Sequence, residues 1–447
     1  MKVLHIPFQF VPGQLGGTEI YVETLCRHLV VLGIHCAIAT PASRQGVAEK
    51  LIDGITVFEF GQDPSSGFEQ AYGRPDWVAA ANFRLVLQNW RPDAVHLHAH
   101  TAAVSEVLVD EAERAGARVL FTYHTPTVSC ARGTMMYMGR TPCDGVLEVT
   151  RCTACLLQKH GLKNGLASIF SRTPDWLGRL LAQLGLHGGV WTALRMRGLV
   201  TSGQRRFHDL MRRADRVVAV CDWVANVLRR NSITEPQLVI SRQGLPYAQI
   251  ESMENGNIGS AAKGADASIR PPLLLRYFGR LERNKGLDVL LSALATIPTA
   301  NVSLEIFAII QGAEDEYRQR LRGMIEQDKR VALRRSLPSS AVVAAMRAGD
   351  LVVVPSQSLE TGPLVILEAF AAGKPVLGSR LGGIAELVTD GVDGLLVEAK
   401  NENAWANAIQ GLEADRRALK RLVAGIKPPR TMKQVAREMS ELYESLG

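Results

Sequence analysis

The chain has 447 residues, 47% of them apolar and 21% charged, with a net charge of +7 at neutral pH. That length implies two or three domains, and that composition a folded globular chain, not a disordered or fibrous one. A surplus this small favours anionic ligands or anionic lipid surfaces, and it falls short of a nucleic-acid binder, so no nucleic-acid partner is expected. No run of 18 apolar residues occurs, so no transmembrane helix is expected. The opening MKVLHIPF reads as a strand leading into a Gly-rich loop and lacks the apolar segment and cleavage site of a signal peptide. A cytoplasmic protein is the expectation.

In chain order, KVLHI (2–6), AIAT (37–40), AVHLH (94–98) and VLFTY (119–123) read as buried strands. Amphipathic stretches lie between them, at Thr18–Leu32 and Val104–Ala115. In the second half LLLRYFG (273–279), SLEIFAII (303–310), DLVVVP (350–355) and KPVLGS (374–379) repeat the pattern. Continuous apolarity suits parallel strands covered on both faces. Strands alternating with helices imply two doubly wound α/β domains. Glu254–Arg270, ENGNIGSAAKGADASIR, is small, polar and without periodicity, as linkers are. The expected division is residues 1–253, a linker at 254–270, residues 271–430, and a terminal helical pattern over 431–447.

One stretch departs from the alternation. Residues 159–216 carry eleven Lys and Arg against three Asp, with Ile169, Phe170, Trp176, Leu177, Leu180, Leu181, Leu184 and Trp191 interleaved. Two readings stand: an interfacial surface for a membrane or a lipid-linked acceptor, peripheral to its inner face, or a basic helical lid whose charge is a solvated face.

The chemistry concentrates at the ends of two strands. In YFGRLERNKGLDVLL (277–291) a strand ends at Gly279, Arg280 and Lys285 follow, and a helix starts near Gly286. Ligands of open α/β sheets sit at the carboxyl ends of strands, and two cations beside a helix N-terminus suit a diphosphate. In DLVVVPSQSLETGPLVILEAFAAGKPV (350–376) Glu360 falls in the loop after a strand, and Gly362, Pro363 and Leu364 form the expected first helical turn. Free amides there can hold phosphate oxygens. Glu368 lies on that helix about one and a half turns further in, at 3.6 residues per turn. A carboxylate, which only accepts hydrogen bonds, is a natural partner for sugar or ribose hydroxyls.

These residues resemble the retaining glycosyltransferases of family 4. Glu360 and Glu368 match the family's E-x7-E, followed by EAFAAGKPVLGS, LGGIAELVTDGVDGLLV (381–397) and the basic element at Arg280 and Lys285. GGTE (Gly16–Glu19) resembles the Gly-rich loop on the acceptor side. The resemblance implies an α/β GT-B fold, with two Rossmann-like domains facing across a cleft and the terminal helix crossing back to the first. It implies roles as well. Arg280 and Lys285 neutralise the leaving diphosphate, Glu360 holds donor-sugar hydroxyls, and Glu368 holds the ribose. Gly16 and Gly17 bring backbone to the diphosphate, Thr361, Gly362, Pro363 and Leu364 line the donor, and His124 in FTYHTP lies beside the reacting carbon. Glu19, His98 and His100 fall on the acceptor side. His96, His98 and His100 also share one face at strand spacing, where a metal site is the lesser reading. The implied donor is a UDP- or GDP-sugar and the implied acceptor a glycan, a lipid-linked sugar or a small molecule, with no cofactor for the chemistry. A nucleotide-sugar epimerase or hydrolase on the same fold, or a non-catalytic partner subunit, is the alternative. One departure stands out: many members read Glu-x-Phe-Gly where this chain has Glu360-Thr361-Gly362-Pro363.

Cys130, Cys143, Cys152 and Cys155 crowd into 26 residues, the last two as C-x2-C. Four thiols at that spacing suit a structural zinc; free thiols, a redox pair or an iron–sulfur centre are the other readings. Some family members carry a similar cysteine-rich insert after the histidine-bearing strand.

Overall fold

The computed structural model describes residues 1–11, 16–65, 74–186, 188–246, 270–310 and 314–446. The expected linker lies almost wholly outside them. The chain forms two compact units, Met1–Arg242 with Met432–Gly447, and Gln243–Thr431. The first unit ends earlier than residue 253, because Leu245 makes a short parallel bridge to Thr431 within the second.

In the first unit, β1 (Lys2–Ile6), β2 (His35–Ala42), β3 (Val47–Ile52), β4 (Ile55–Gly61), β5 (Ala94–Leu97), β6 (Arg118–Tyr123), β9 (Arg216–Ala219) and β10 (Leu238–Ile240) make one sheet. Its order is β10-β9-β6-β5-β1-β2-β4-β3. All pairs are parallel except β3 with β4, a hairpin. Its turn is Asp53-Gly54, both at positive φ, the chemistry that a tight hairpin demands.

Alternation along the strands sends Leu4, Ile6, Val95, Leu97, Phe121 and Val217 to one face, packed on Phe83, Val86 and Leu108. Val3, Ile38, Leu120 and Val218 go to the other face. There they meet Tyr21, Val22, Leu25 and Leu29 of the Gly17–Val31 helix, together with Met432, Val435, Ala436, Met439 and Tyr443 of the Met432–Glu444 helix. The chain's last helix therefore completes the core of its first unit. Between β6 and β9 lie a small hairpin, β7 (Met136–Tyr137) with β8 (Thr141–Pro142), and the helices Val149–Lys159, Asn164–Phe170, Asp175–Gln183 and Gly189–Arg213.

The second unit holds β11 (Leu273–Arg280), β12 (Val302–Ile309), β13 (Val331–Arg334), β14 (Leu351–Val354), β15 (Val376–Ser379) and β16 (Gly394–Val397), all parallel. The order β13-β12-β11-β14-β15-β16 is the doubly wound dinucleotide-fold order, which reverses direction between β11 and β14. One face packs on Leu290, Leu294, Ile409 and the fully buried Trp405. The other packs on Met346, Ile366, Phe370 and Ile384. Both units are Rossmann-like.

Candidate active-site elements

The switch point of the second sheet lies between the ends of β11 and β14, and the candidate donor residues gather there. After β11 a 3-10 turn, Arg283–Lys285, leads to Gly286, which caps the Leu287–Ala295 helix at φ +68°. A Cβ on Gly286 would stand 2.0 Å from the carbonyl oxygen of Pro355. Glycine thus lets the turn press against the chain leaving β14, where the Gln357 amide donates to Asn284 O at 2.7 Å.

That approach delivers Lys285 to Glu360. Lys285 Nζ donates to Glu360 Oε1 at 2.7 Å, and Ser356 Oγ donates to the same oxygen at 2.8 Å. Burial alone would raise the Glu360 carboxyl. The Lys285 charge and hydrogen bond, the Ser356 hydroxyl and the Arg280 charge outweigh it and hold the group below the ordinary glutamate range. Arg280 itself is half exposed and pairs with Glu282 at 3.0 Å.

The loop after Glu360 is braced from behind. Gly383 N donates to Glu360 O at 2.7 Å, and a Cβ on Gly383 would lie at the same distance from that oxygen. The Gly-Gly pair in LGGIAEL thus serves to hold the Glu360 backbone, a role the sequence motif did not disclose. Thr361 is buried and Gly362 takes φ +150°. The expected first helical turn needs correction. Pro363 is extended (φ −67°, ψ 119°) and caps a helix running Leu364–Ala371, so Gly362 and Pro363 precede the helix and Leu364 opens it. Gly362 lies outside any helical conformation, and Pro363 supplies a carbonyl to Ile366 but no N–H. Glu368 lies one turn into that helix. Burial pushes its carboxyl up to about 7, and its side chain makes no hydrogen bond among the described residues.

The first unit carries the other candidates. Gly16 caps the Gly17–Val31 helix, and the Glu19 carboxylate folds back to within 2.7 Å of where a Gly16 Cβ would stand. A side chain at position 16 would push the Glu19 carboxylate aside. His124, just past β6, is buried, and burial pushes its imidazole down to about 3. Its Nε2 lies 3.0 Å from His98 Nδ1, and Tyr21 meets its ring edge-on at 4.7 Å. His98 is only 2% exposed, inside the core. His100 turns its Nδ1 to Val128 O at 3.3 Å, and burial takes it down to about 4. His96 bonds Tyr443 Oη at 2.6 Å through Nδ1 and Thr122 Oγ1 at 2.7 Å through Nε2.

The four clustered cysteines share one neighbourhood. Burial pushes Cys152 up to about 12, with Cys130, Cys143 and Cys155 all near enough to add to it. Met138 N donates to Cys155 Sγ at 3.2 Å and Arg151 Nη2 to Cys143 Sγ at 3.7 Å. Among the described residues, the groups of three ligands within 4.8 Å are His5–His96–His98 and His5–Cys26–Cys36, not these four. In the basic segment, Arg172, Trp176, Arg179, Arg197 and Thr150 line a cavity of about 490 Å³. Arg197 pairs with Asp175 at 3.3 Å, while Ile169, Trp176 and Leu184 are each at least 60% exposed.

Residues 15–172 match the family described as Glycosyltransferase Family 4, and residues 266–427 match Glycosyl transferases group 1. The chain belongs to the group 1 and family 4 glycosyltransferases. D-inositol 3-phosphate glycosyltransferase of Corynebacterium urealyticum is 32% identical over 214 residues, 45% of this chain and 50% of its own length. This chain thus spans about half of that relative. The protein of the same name from Frankia alni is 27% identical over 92% of this chain and 89% of its own. Among solved structures, HepE of Anabaena in complex with UDP and glucose aligns over the full length of both chains at a TM-score of 0.63 and 17% identity. Sucrose-phosphate synthase of Thermosynechococcus elongatus aligns over 100% of this chain and 98% of its own at 0.65 and 20%. These likenesses show the GT-B fold.

Proposed function

We propose that the protein is a retaining hexosyltransferase that uses a nucleoside diphosphate sugar. The observation that carries this is the Lys285–Glu360 pair at the switch point, with Arg280 beside it. A leaving diphosphate concentrates negative charge, and fixed cations at a strand's carboxyl end stabilise it as it develops. Lys285 and Arg280 do this and need no metal. Glu360, held ionised, accepts from donor-sugar hydroxyls, and Glu368 accepts from the ribose. Thr361, Gly362, Pro363 and Leu364 line the sugar and phosphates. In the first unit Gly16 and Gly17 bring backbone amides to the diphosphate, His124 stands beside the reacting carbon, and Glu19, His98 and His100 shape the acceptor side.

A UDP- or GDP-sugar is the proposed donor. The support is that HepE was solved with UDP and UDP-glucose, although a starch synthase neighbour was solved with ADP. The acceptor is a glycan, a lipid-linked sugar or a small molecule; relatives are named for inositol 3-phosphate. A thermal-shift screen of UDP-, GDP- and ADP-sugars, followed by turnover assays, tests the reading. A transferase releases nucleoside diphosphate slowly alone and faster with acceptor. An epimerase alters the sugar and releases none, and a non-catalytic subunit does neither.

Two accompanying readings concern the first unit. No described helix is long and apolar enough to cross a membrane. The exposed Trp176, Ile169 and Leu184 beside Arg172 and Arg179 favour a cytoplasmic enzyme touching an anionic membrane face through residues 159–216. Cys130, Cys143, Cys152 and Cys155 would hold a structural zinc, whose chemistry is to pin the loop that follows His124. The amide and guanidinium donors already aimed at Cys155 and Cys143 suit thiolates. Closing around an ion would draw the sulfurs together.

A further inference from the structure

His5 holds a buried nitrogen that its surroundings do not use. The residue lies on β1 and is 0% exposed. Its Nδ1 lies 3.0 Å from His98 Nε2, and His98 Nδ1 lies 3.0 Å from His124 Nε2, so the three rings stand in a row. Its Nε2 has no hydrogen-bond partner among the described residues. A polar atom buried without a partner is costly, and such an orphan calls for an explanation.

The sheet register brings two thiols to it. β1 pairs with β2 so that Val3 lies opposite Cys36 and His5 opposite Ile38. His5 and Cys36 therefore project from the same face as diagonal neighbours. The Gly17–Val31 helix covers that face and carries Cys26 into the same cluster of side chains. A ring nitrogen of His5 and the sulfurs of Cys26 and Cys36 all lie within 4.8 Å of one another. His98 engages Nδ1, so the nitrogen left for that group is Nε2. Both cysteines are free.

We propose that His5, Cys26 and Cys36 form a binding site for a soft monovalent metal ion, Cu(I). Two thiolates and an imidazole are donors that such an ion selects. A structural zinc takes four ligands, and the neighbouring rings offer no fourth. His96 is engaged by Tyr443 and Thr122, and His98 by His5 and His124, each through both nitrogens. The same bonds leave His5–His96–His98, the other trio within 4.8 Å, without ligand atoms to spare. With bonds of the length zinc makes to sulfur and nitrogen, donor atoms around a trigonal ion stand about 3.8–4.0 Å apart. Closing the present group onto an ion thus takes about 1 Å or less. A ligating imidazole also needs a partner on its other nitrogen. With the ion on Nε2, His5 Nδ1 carries the proton and donates to His98 Nε2. Cys26 is fully buried and Cys36 partly exposed, so the ion enters past Cys36. That edge also lets water reach the negative charge left by two thiolates and one monovalent ion. Once bound, the ion ties β1, β2 and the first helix together behind the histidine row.

The test is a titration of Cu(I), buffered by the chromophoric chelator bicinchoninate, into the reduced full-length protein without oxygen. The four clustered cysteines are common to all samples, so the readout is a difference. Cys26→Ser and Cys36→Ser are each expected to take up one Cu(I) fewer than wild type, and His5→Gln to bind that ion at least tenfold more weakly. Equal uptake by wild type and the cysteine variants overturns the site, and unchanged affinity in His5→Gln overturns ligation by the imidazole. Long-range ¹H–¹⁵N NMR of wild type serves where a variant fails to fold. Cu(I) should shift His5 Nε2 and leave the proton on Nδ1, and an unmoved Nε2 overturns the proposal. So does a disulfide between Cys26 and Cys36 in the protein as isolated, or zinc held there in preference to Cu(I). None of these measurements needs donor or turnover, so a failed transfer reading leaves the site standing.

Discussion

Lys285 Nζ and Glu360 Oε1 meet at 2.7 Å, although 75 residues separate them. The two half-buried groups sit at the ends of adjacent parallel strands, so the fold and not the local chain makes the pair. Lys285 serves twice: it keeps Glu360 ionised, and it presents a cation at the place a diphosphate would leave.

Removing either member should therefore act on chemistry more than on folding. Lys285→Ala and Glu360→Ala are each expected to reduce kcat/KM by roughly 10² or more, as loss of a transition-state electrostatic group does. Steady-state kinetics on folded variants checks this, and unchanged kcat/KM in both would falsify the assignment. The pair also has a pH signature. Glu360 is depressed in the folded state, so its stabilisation is complete above the unfolded value of about 4.3 and fades as pH falls through the folded value. Acid titration of stability should show this loss in wild type and not in Glu360→Gln.

Glu368 behaves in the opposite way. Burial raises its carboxyl to about 7, so the folded protein holds a proton there that the unfolded chain has lost. Between about 4.3 and about 7 this group's contribution to stability falls as pH rises. Donor binding should run the other way if Glu368 accepts from ribose hydroxyls as a carboxylate, tightening as pH passes through about 7. Calorimetric titration of the donor between pH 6 and pH 8 (about two units spanning that value) should show a slope that Glu368→Gln abolishes.

Much of this arrangement was legible before any coordinates. The buried strands announced themselves because both faces are covered, and the joint spacing of Arg280, Lys285, Glu360 and Glu368 carried the family. What escaped was what depends on a partner distant in sequence. The β3 strand is half exposed, so its apolar signal is weak, although Asp53-Gly54 marked its turn. The Gly383 contact with Glu360 could not be read from a motif. The His5–His98–His124 row needs three strands in register, and His5 drew no attention within KVLHI.

The last helix offers a stability test. Tyr443 Oη bonds His96 Nδ1 at 2.6 Å where both are fully buried. Tyr443→Phe keeps the packing and leaves that nitrogen without its partner, which should destabilise the first unit by about 1–3 kcal/mol. Amide hydrogen exchange of β1, β5 and β6 reads the first unit separately, and equal protection in both proteins would refute the claim.

The cysteine cluster makes a compositional prediction. If the four thiols hold zinc, native mass spectrometry of anaerobically purified protein should find one ion per chain. Cys152→Ser or Cys155→Ser should lose it and lower Tm, because the metal pins residues 130–155. Chelation should reproduce the Tm loss in wild type and leave the variants unchanged. A metal-free wild type with four titratable thiols would remove the site.

The basic helices supply the remaining test. Arg172 and Arg179 are exposed and have no acidic partner among the described residues, and Trp176 projects beside them. An interfacial surface of this kind gains from both charge and apolar insertion, at about 1 kcal/mol per basic residue near an anionic leaflet. Sedimentation with phosphatidylglycerol vesicles should therefore capture the protein, and neutral phosphatidylcholine vesicles should not. Arg172→Glu with Arg179→Glu should reduce binding at least tenfold, since about 2 kcal/mol of attraction gives way to repulsion. Trp176→Ala should weaken it while leaving the remaining binding fully sensitive to salt, because it removes insertion and keeps the charge. If the helices are instead a solvated lid, vesicle binding will be absent in wild type and all three substitutions will be silent in this assay.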